Sequence, residues 1–167
     1  MNRFKFIFVF LFALPFYGIS QKVEKKSYDR LLQGLLKHSV PELSVNEALQ
    51  KKSPIYLDSR ESQEYLVSHI PNAIWIGYDS LRMSTINQLD KSKNYIVYCS
   101  VGYRSEKISE KLIGLGFSNV FNLYGGAFEW INEGYALQGI DGKSTQKIHP
   151  YNAIWGIWLS KGEKTCK

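Results

Sequence analysis

Cysteine is nearly absent from this chain: Cys99 and Cys166 are the only two in 167 residues. A small domain stapled by disulfides carries more, so no disulfide framework is expected. Glycine and proline, at 13 and 5, are not in excess, which excludes a long low-complexity tract. No segment repeats at a solenoid period. Charge of one sign is not concentrated either. The 21 basic and 15 acidic residues give a formal +6, but the lysines are scattered. A nucleic-acid binder gathers them on one face with interleaved aromatics. The charge is better read as serving solubility, and no nucleic-acid partner is expected.

What is present begins with a leader. Arg3 and Lys5 precede an apolar run from Phe6 to Tyr17, broken only by Pro15, and Gly18-Ile19-Ser20 supplies small residues. This pattern predicts a secretory signal peptide over residues 1–20, cut after Ser20. The alternative is a retained anchor, for which the run is short. No cysteine near the cut favours lipid attachment. Without residues 1–20 the charge falls to +4. The protein is expected to be exported, periplasmic or extracellular, touching a membrane only in transit.

The remainder is long enough for one domain with a core, and 44% apolar residues is ordinary. Residues 21–43 read as a polar and helical lead-in, with Leu31, Leu32, Leu35 and Leu36 at helical spacing. Ser44 and Glu47 have capping-box spacing and predict a short helix to about Lys51. Strands are then predicted at 54–58, 73–76, 94–99 and 119–123. Helices are predicted at 61–68, 84–89, 105–115 and 127–133. Strands alternating with helices predict an α/β fold, a mostly parallel central sheet covered by helices on both faces. Ligands in such sheets bind at the carboxyl ends of the strands. Asp58 and Cys99 both fall there.

Cys99 ends the most β-prone strand. Ser100, Val101, Gly102, Tyr103 and Arg104 follow, and a helix is predicted from about Ser105. Gly102 is free to take backbone angles closed to other residues. Successive N–H groups of such a loop form an anion nest, the helix N-terminus adds partial positive charge, and Arg104 adds a full charge. These features favour a thiolate, the nucleophilic form of cysteine. The competing reading is an inert buried thiol. Asp58 either supports the loop or caps the helix after Arg60. Arg60 is expected to pair with a carboxylate inside the domain. His69 reads as a turn residue, Gly125 and Gly126 as serving backbone geometry, and Trp75 and Trp130 as core.

The stretch Cys99-Ser-Val-Gly-Tyr-Arg-Ser105 resembles the active-site loop of the rhodanese family. Leu57-Asp-Ser-Arg-Glu61, His69-Ile-Pro-Asn-Ala73 and Leu123-Tyr-Gly-Gly126 with Trp130 resemble further family segments, in the family's order. The resemblance covers about residues 44–138, with Asn72 where the family usually has glycine. It implies a rhodanese-like fold and a sulfurtransferase that uses no metal or cofactor. Cys99 would attack the sulfane sulfur of a small anionic donor such as thiosulfate and hold a persulfide. A thiol or other thiophilic acceptor would then remove the outer sulfur. Residues 100–105 would bind the substrate through loop N–H groups. Related phosphatases have five residues between cysteine and arginine; here there are four, which argues for sulfur over phosphate. Neutral Ser100 and Val101 leave positions empty that are usually basic, so efficient thiosulfate use is in question.

Residues 139–167 lie beyond the resemblance. Tyr151, Trp155, Trp158 and their neighbours make this extension aromatic-rich. It either packs on the domain, the preferred reading, or covers a protein partner. Cys166 either resolves a Cys99 persulfide, bonds another chain, or stays unpaired. A second function is therefore carried alongside enzymatic sulfur transfer: a catalytically weak binding or persulfide-carrier module in an envelope pathway.

Overall fold

A computed structural model of the chain describes residues 22–166; the leader expected over residues 1–20 lies outside them. Helix α1 (Lys26–Leu35) buries Tyr28 and Leu32. Strand β1 (Glu42–Leu43) follows, then α2 (Val45–Gln50). The α2 start is the capping box read from the sequence: Ser44 N–H donates to Glu47 Oε2 at 2.8 Å, and Glu47 N–H donates to Ser44 Oγ at 3.3 Å. Then come β2 (Ile55–Asp58), α3 (Ser62–Val67), β3 (Ile74–Trp75) and α4 (Met83–Ile86). Next are β4 (Asn94–Tyr98), α5 (Tyr103–Gly114), β5 (Asn119–Leu123) and α6 (Gly126–Asn132).

The five strands form one parallel sheet in the order β1-β5-β4-β2-β3. Strand β4 is central, and its unbroken apolar run is explained by burial on both faces. Ile96 and Tyr98 join a core with α1, α2 and α6, while Tyr95 and Val97 join a second core with Ile108 and Leu112 of α5 and Ile86 of α4. The fold is α/β, a parallel sheet with helices on both faces.

Two boundaries differ from expectation. The lead-in is not outside the domain: Val23, Tyr28, Leu32 and Leu36 belong to the main core, and β1 pairs with β5. A two-residue strand has no periodicity to read, so the expected boundary at residue 44 cuts through the fold. Helix α5 begins at Tyr103, two residues before the expected Ser105, because Gly102 at φ +111° already turns the chain. Asn72 stands at φ +61°, a left-handed position that asparagine tolerates; this accounts for the glycine usual there.

The C-terminal extension packs on the domain. Strands β6 (Leu137–Gln138) and β7 (Ser144–Thr145) form an antiparallel pair. Strand β8 (Lys147–Ile148) pairs in parallel with β9 (Glu163–Lys164), and α7 (Ala153–Gly156) lies between them in sequence. Trp158 stacks on Tyr28 with ring centroids 5.4 Å apart, and its carbonyl accepts from Asn132 Nδ2 at 2.9 Å. Ser68 Oγ donates to the Lys147 carbonyl at 2.6 Å. Among the described residues no helix is long and apolar enough to cross a membrane.

Candidate active site

Cys99 follows the last residue of β4 directly, and α6 fixes where that residue ends. Ala127 N–H donates to the Cys99 carbonyl at 2.9 Å, and Phe128 N–H donates to the Ser100 carbonyl at 3.0 Å. Gly126, at φ +59°, allows this approach: a Cβ there would lie 2.5 Å from the Cys99 carbonyl oxygen and 2.7 Å from that of Ser100. Gly126 of the glycine pair thus serves the loop's backbone, while Gly125, at φ +83°, makes room for Glu129 and Val23.

The loop then closes over the sulfur. Gly102 N–H donates to Cys99 Sγ at 3.1 Å. Asn122 Nδ2 donates to the Gly102 carbonyl at 3.1 Å, and Ser105 Oγ donates to Asn122 Oδ1 at 2.7 Å. Ser105 therefore braces the loop through the Gly102 carbonyl and Asn122. Asn122, a buried polar residue on β5, escapes sequence reasoning because nothing local marks it.

Arg104 does not present a free charge. Its Nη1 donates to Glu64 Oε2 at 2.7 Å and its Nη2 to Glu64 Oε1 at 2.8 Å. Ser100 Oγ also donates to Glu64 Oε1, at 2.7 Å. Glu64 is fully buried. Burial acts to raise its pKa, but hydrogen bonds and charge from Arg104, with Arg60 and Ser100, outweigh burial and lower it. The full charge that Arg104 brings to the loop is thus matched by the buried carboxylate of Glu64. Glu64 is a site residue the sequence reading misses; its three-residue spacing from Glu61 signals only a helix start. Glu61 caps α3 with Glu64 at the reciprocal position.

Asp58 and Arg60 support the rim from the neighbouring strand. Asp58 Oδ2 accepts from Arg60 Nη2 and from Tyr98 Oη, both at 2.6 Å. Asp58 therefore fixes the residue before Cys99 and does not cap α3. The expected internal carboxylate partner of Arg60 is this same Asp58. Arg60 Nη2 also donates to the Ser68 carbonyl at 2.6 Å. His69 stacks on Tyr65, centroids 4.1 Å apart, and does not line the cavity beside Cys99. Trp75 Nε1 donates to the Arg60 carbonyl at 2.9 Å, and Trp130 is core.

Cys99 is 1% exposed, yet it lines a cavity of about 360 Å³. Ser100, Val101, Tyr103 and Arg104 line it from the loop, Glu61, Tyr78 and Asp79 from the β2 and β3 side, and Tyr151 and Trp155 from the C-terminal extension. Gly102 and Ser105 shape the loop without lining the cavity. The two cysteines are unpaired, Cys99 buried and Cys166 exposed. Among the described residues no cluster of side chains has the makings of a metal site.

The model of the rhodanese-like domain matches residues 43–133. The chain belongs to the rhodanese-like domain family. A tRNA uridine(34) hydroxylase of Yersinia enterocolitica is 32% identical over 117 residues, covering 67% of this chain and 33% of that protein. Its counterpart in Photorhabdus laumondii is 35% identical over 91 residues, 26% of its length. This rhodanese-like chain therefore spans about a third or less of these curated relatives. Among solved structures, thiosulfate sulfurtransferase from Pseudomonas aeruginosa superposes with a TM-score of 0.51 at 26% identity, covering 62% of this chain and 21% of that one.

Proposed function

We propose that the protein is a sulfurtransferase working through a Cys99 persulfide. The observation that carries the reading is the closed loop of Cys99 to Arg104. It delivers the Gly102 N–H to Sγ at 3.1 Å beside an open cavity. A preorganised donor at that distance stabilises negative charge on sulfur without reorganisation during the reaction.

With a donor such as thiosulfate the first step is a displacement. The Cys99 thiolate attacks the outer sulfur, the donor's S–S bond breaks, and sulfite leaves with the electron pair. Cys99 then carries the persulfide. In the second step an acceptor thiolate attacks the outer sulfur and Cys99 departs as thiolate. Two bonds form and two break, with no external oxidant. Arg104, Glu64 and Ser100 hold the loop in shape, and Asp58 and Tyr98 anchor its entry. The tRNA uridine(34) hydroxylases share only this stretch, and oxygen transfer to a nucleotide is no part of the proposal.

The charged and apolar pattern of residues 1–20, read as a leader, supports placing this activity outside the cytoplasm. A second reading, a persulfide carrier that docks a partner, is favoured by Ile154 and Ile157 of the extension. They are 75% and 62% exposed next to the cavity-lining Trp155.

Intact-mass measurement after donor treatment tests the proposal. The wild type is expected to gain one sulfur atom, reversed by a thiol, and Cys99→Ser to gain none. Failure of every sulfane-sulfur donor to load Cys99 would overturn both readings.

A further inference from the structure

The cavity wall furthest from the family match is the most informative part of the site. Tyr151 and Trp155 come from the extension, beyond residue 133, and line the cavity with Tyr78 and Tyr103. Their placement is built. Trp155 packs against the main core, and Asn152 Oδ1 accepts its N–H at 3.0 Å. Tyr151 sits at φ +62°, a backbone region a tyrosine occupies only when its surroundings hold it there. His149 Nδ1 accepts the Tyr151 N–H at 3.0 Å, and the Arg104 guanidinium lies 4.8 Å from the Tyr151 ring centroid. That is a cation–π distance.

The charge of the cavity points the same way. Arg104 is matched by Glu64 in a bidentate pair. Glu61 and Asp79 add two carboxylate side chains to the wall. The nearby ammonium of Lys107 is held over the Tyr103 ring, 5.0 Å from its centroid. A small dianion entering this cavity meets aromatic faces and carboxylates, and its one arginine is already engaged.

Resting on the sulfurtransferase reading above, we propose that the site takes an organic sulfane-sulfur donor with an apolar, aromatic body. Tyr151 and Trp155 of the extension form its specificity wall. In the loading step the Cys99 thiolate attacks the terminal sulfur of a thiosulfonate. The S–S bond of the donor breaks, the sulfinate leaves with the electron pair, and Cys99 holds the sulfur. For a persulfide donor the leaving group is the organic thiolate. Tyr151 and Trp155 act as binding residues and take no part in bond making.

The test uses three probes with the full chain: benzenethiosulfonate, methanethiosulfonate and thiosulfate. The readout is kcat/KM for thiol persulfide formation, with Cys99 loading followed by mass. The aromatic donor is expected to exceed the methyl donor by about tenfold, the scale on which an apolar pocket discriminates apolar groups, and thiosulfate to be the poorest. Intrinsic reactivity also differs between donors, so the deciding quantity is the change in the aromatic-to-methyl ratio on mutation. Trp155→Ala should bring that ratio down severalfold while methanethiosulfonate turnover persists. Ile140→Ala, an exposed residue of the extension outside the cavity, should leave it unchanged. If Trp155→Ala loses all turnover through misfolding, Tyr151→Ala decides by the same ratio. A ratio insensitive to Trp155→Ala or, where that variant does not fold, to Tyr151→Ala overturns the proposal, as does thiosulfate as the best donor. Loading by these donors without the aromatic preference overturns only this inference; no loading by any donor overturns the sulfurtransferase reading itself.

Discussion

Arg104 and Glu64 meet edge to edge, with nitrogen–oxygen distances of 2.7 and 2.8 Å, directly beneath the loop that carries Cys99. The pair joins α5 to α3 and recruits Ser100 Oγ on the way. Its geometry makes the arginine a fastening for the loop. A bidentate guanidinium–carboxylate fork fixes orientation as well as charge, which a lysine at this position does not reproduce.

Glu64→Gln should therefore destabilise the protein by about 3 kcal/mol, because removing one partner leaves a largely buried charge uncompensated. Chemical denaturation measures this. The pH dependence has a defined sign. Glu64 has a folded pKa below its ordinary value, so its contribution is present above the unfolded carboxylate range and is lost as pH falls through the folded pKa. Where the variant stays folded, its freed arginine should improve use of thiosulfate relative to an uncharged donor.

Gly126→Ala tests the contact between α6 and the loop entry. A Cβ at Gly126 meets two carbonyl oxygens at 2.5 and 2.7 Å, and both belong to backbone that cannot swing aside. The left-handed φ of +59° adds strain of about 1 kcal/mol or more. The expected outcome is a loss of about 2–4 kcal/mol, from that strain together with overpacking, and slower sulfur loading at Cys99. Gly134→Ala, also at positive φ but with nothing within 4 Å of its Cβ, should show the strain alone and load normally.

These residues show where the sequence was legible. Strand β5 lies at 119–123 as read, because five residues of apolar and β-prone character outweigh local ambiguity. The α2 start was readable because a capping box is a local hydrogen-bond pattern. The ladder at Glu42–Leu43 was not, since two residues carry no period. Glu64 was hidden for a different reason. On a short helix it reads as an ordinary surface acid, and only the packing of α3 against the Cys99 loop buries it. The aromatic richness of residues 150–159 was visible, but that Tyr151 and Trp155 reach the cavity depends on the path of the whole extension.

Tyr98→Phe on β4 and Asp58→Asn on the neighbouring β2 separate two roles. Tyr98 Oη donates to Asp58 and accepts the Ile70 N–H at 3.0 Å. Its deletion should cost about 1–3 kcal/mol, because two buried partners lose a bond. Asp58→Asn leaves the fully buried Arg60 without its carboxylate and should cost about 3–5 kcal/mol. Both are measured by denaturant unfolding. If each acts only as a positioning residue, the pH profile of Cys99 loading should keep its shape while the rate falls.

Glu133 gives a pH effect of the opposite sign to Glu64. Burial, then the negative charges of Glu129 and Glu24, push its pKa up to about 7, against the opposing charge of Lys161. The unfolded carboxyl titrates near 4.5. Between these values the folded chain keeps a proton that the unfolded chain has released, so stability falls as pH rises from about 4.5 to about 7. Glu133 is partly exposed, and solvent screens the effect. Glu133→Gln removes this titration. Thermal unfolding of the variant from pH 5 to 8 should show a flatter loss of stability than the wild type, with a higher midpoint than wild type at pH 8. Identical slopes for the two proteins would mean that Glu133 ionises in the folded state as it does in the unfolded one.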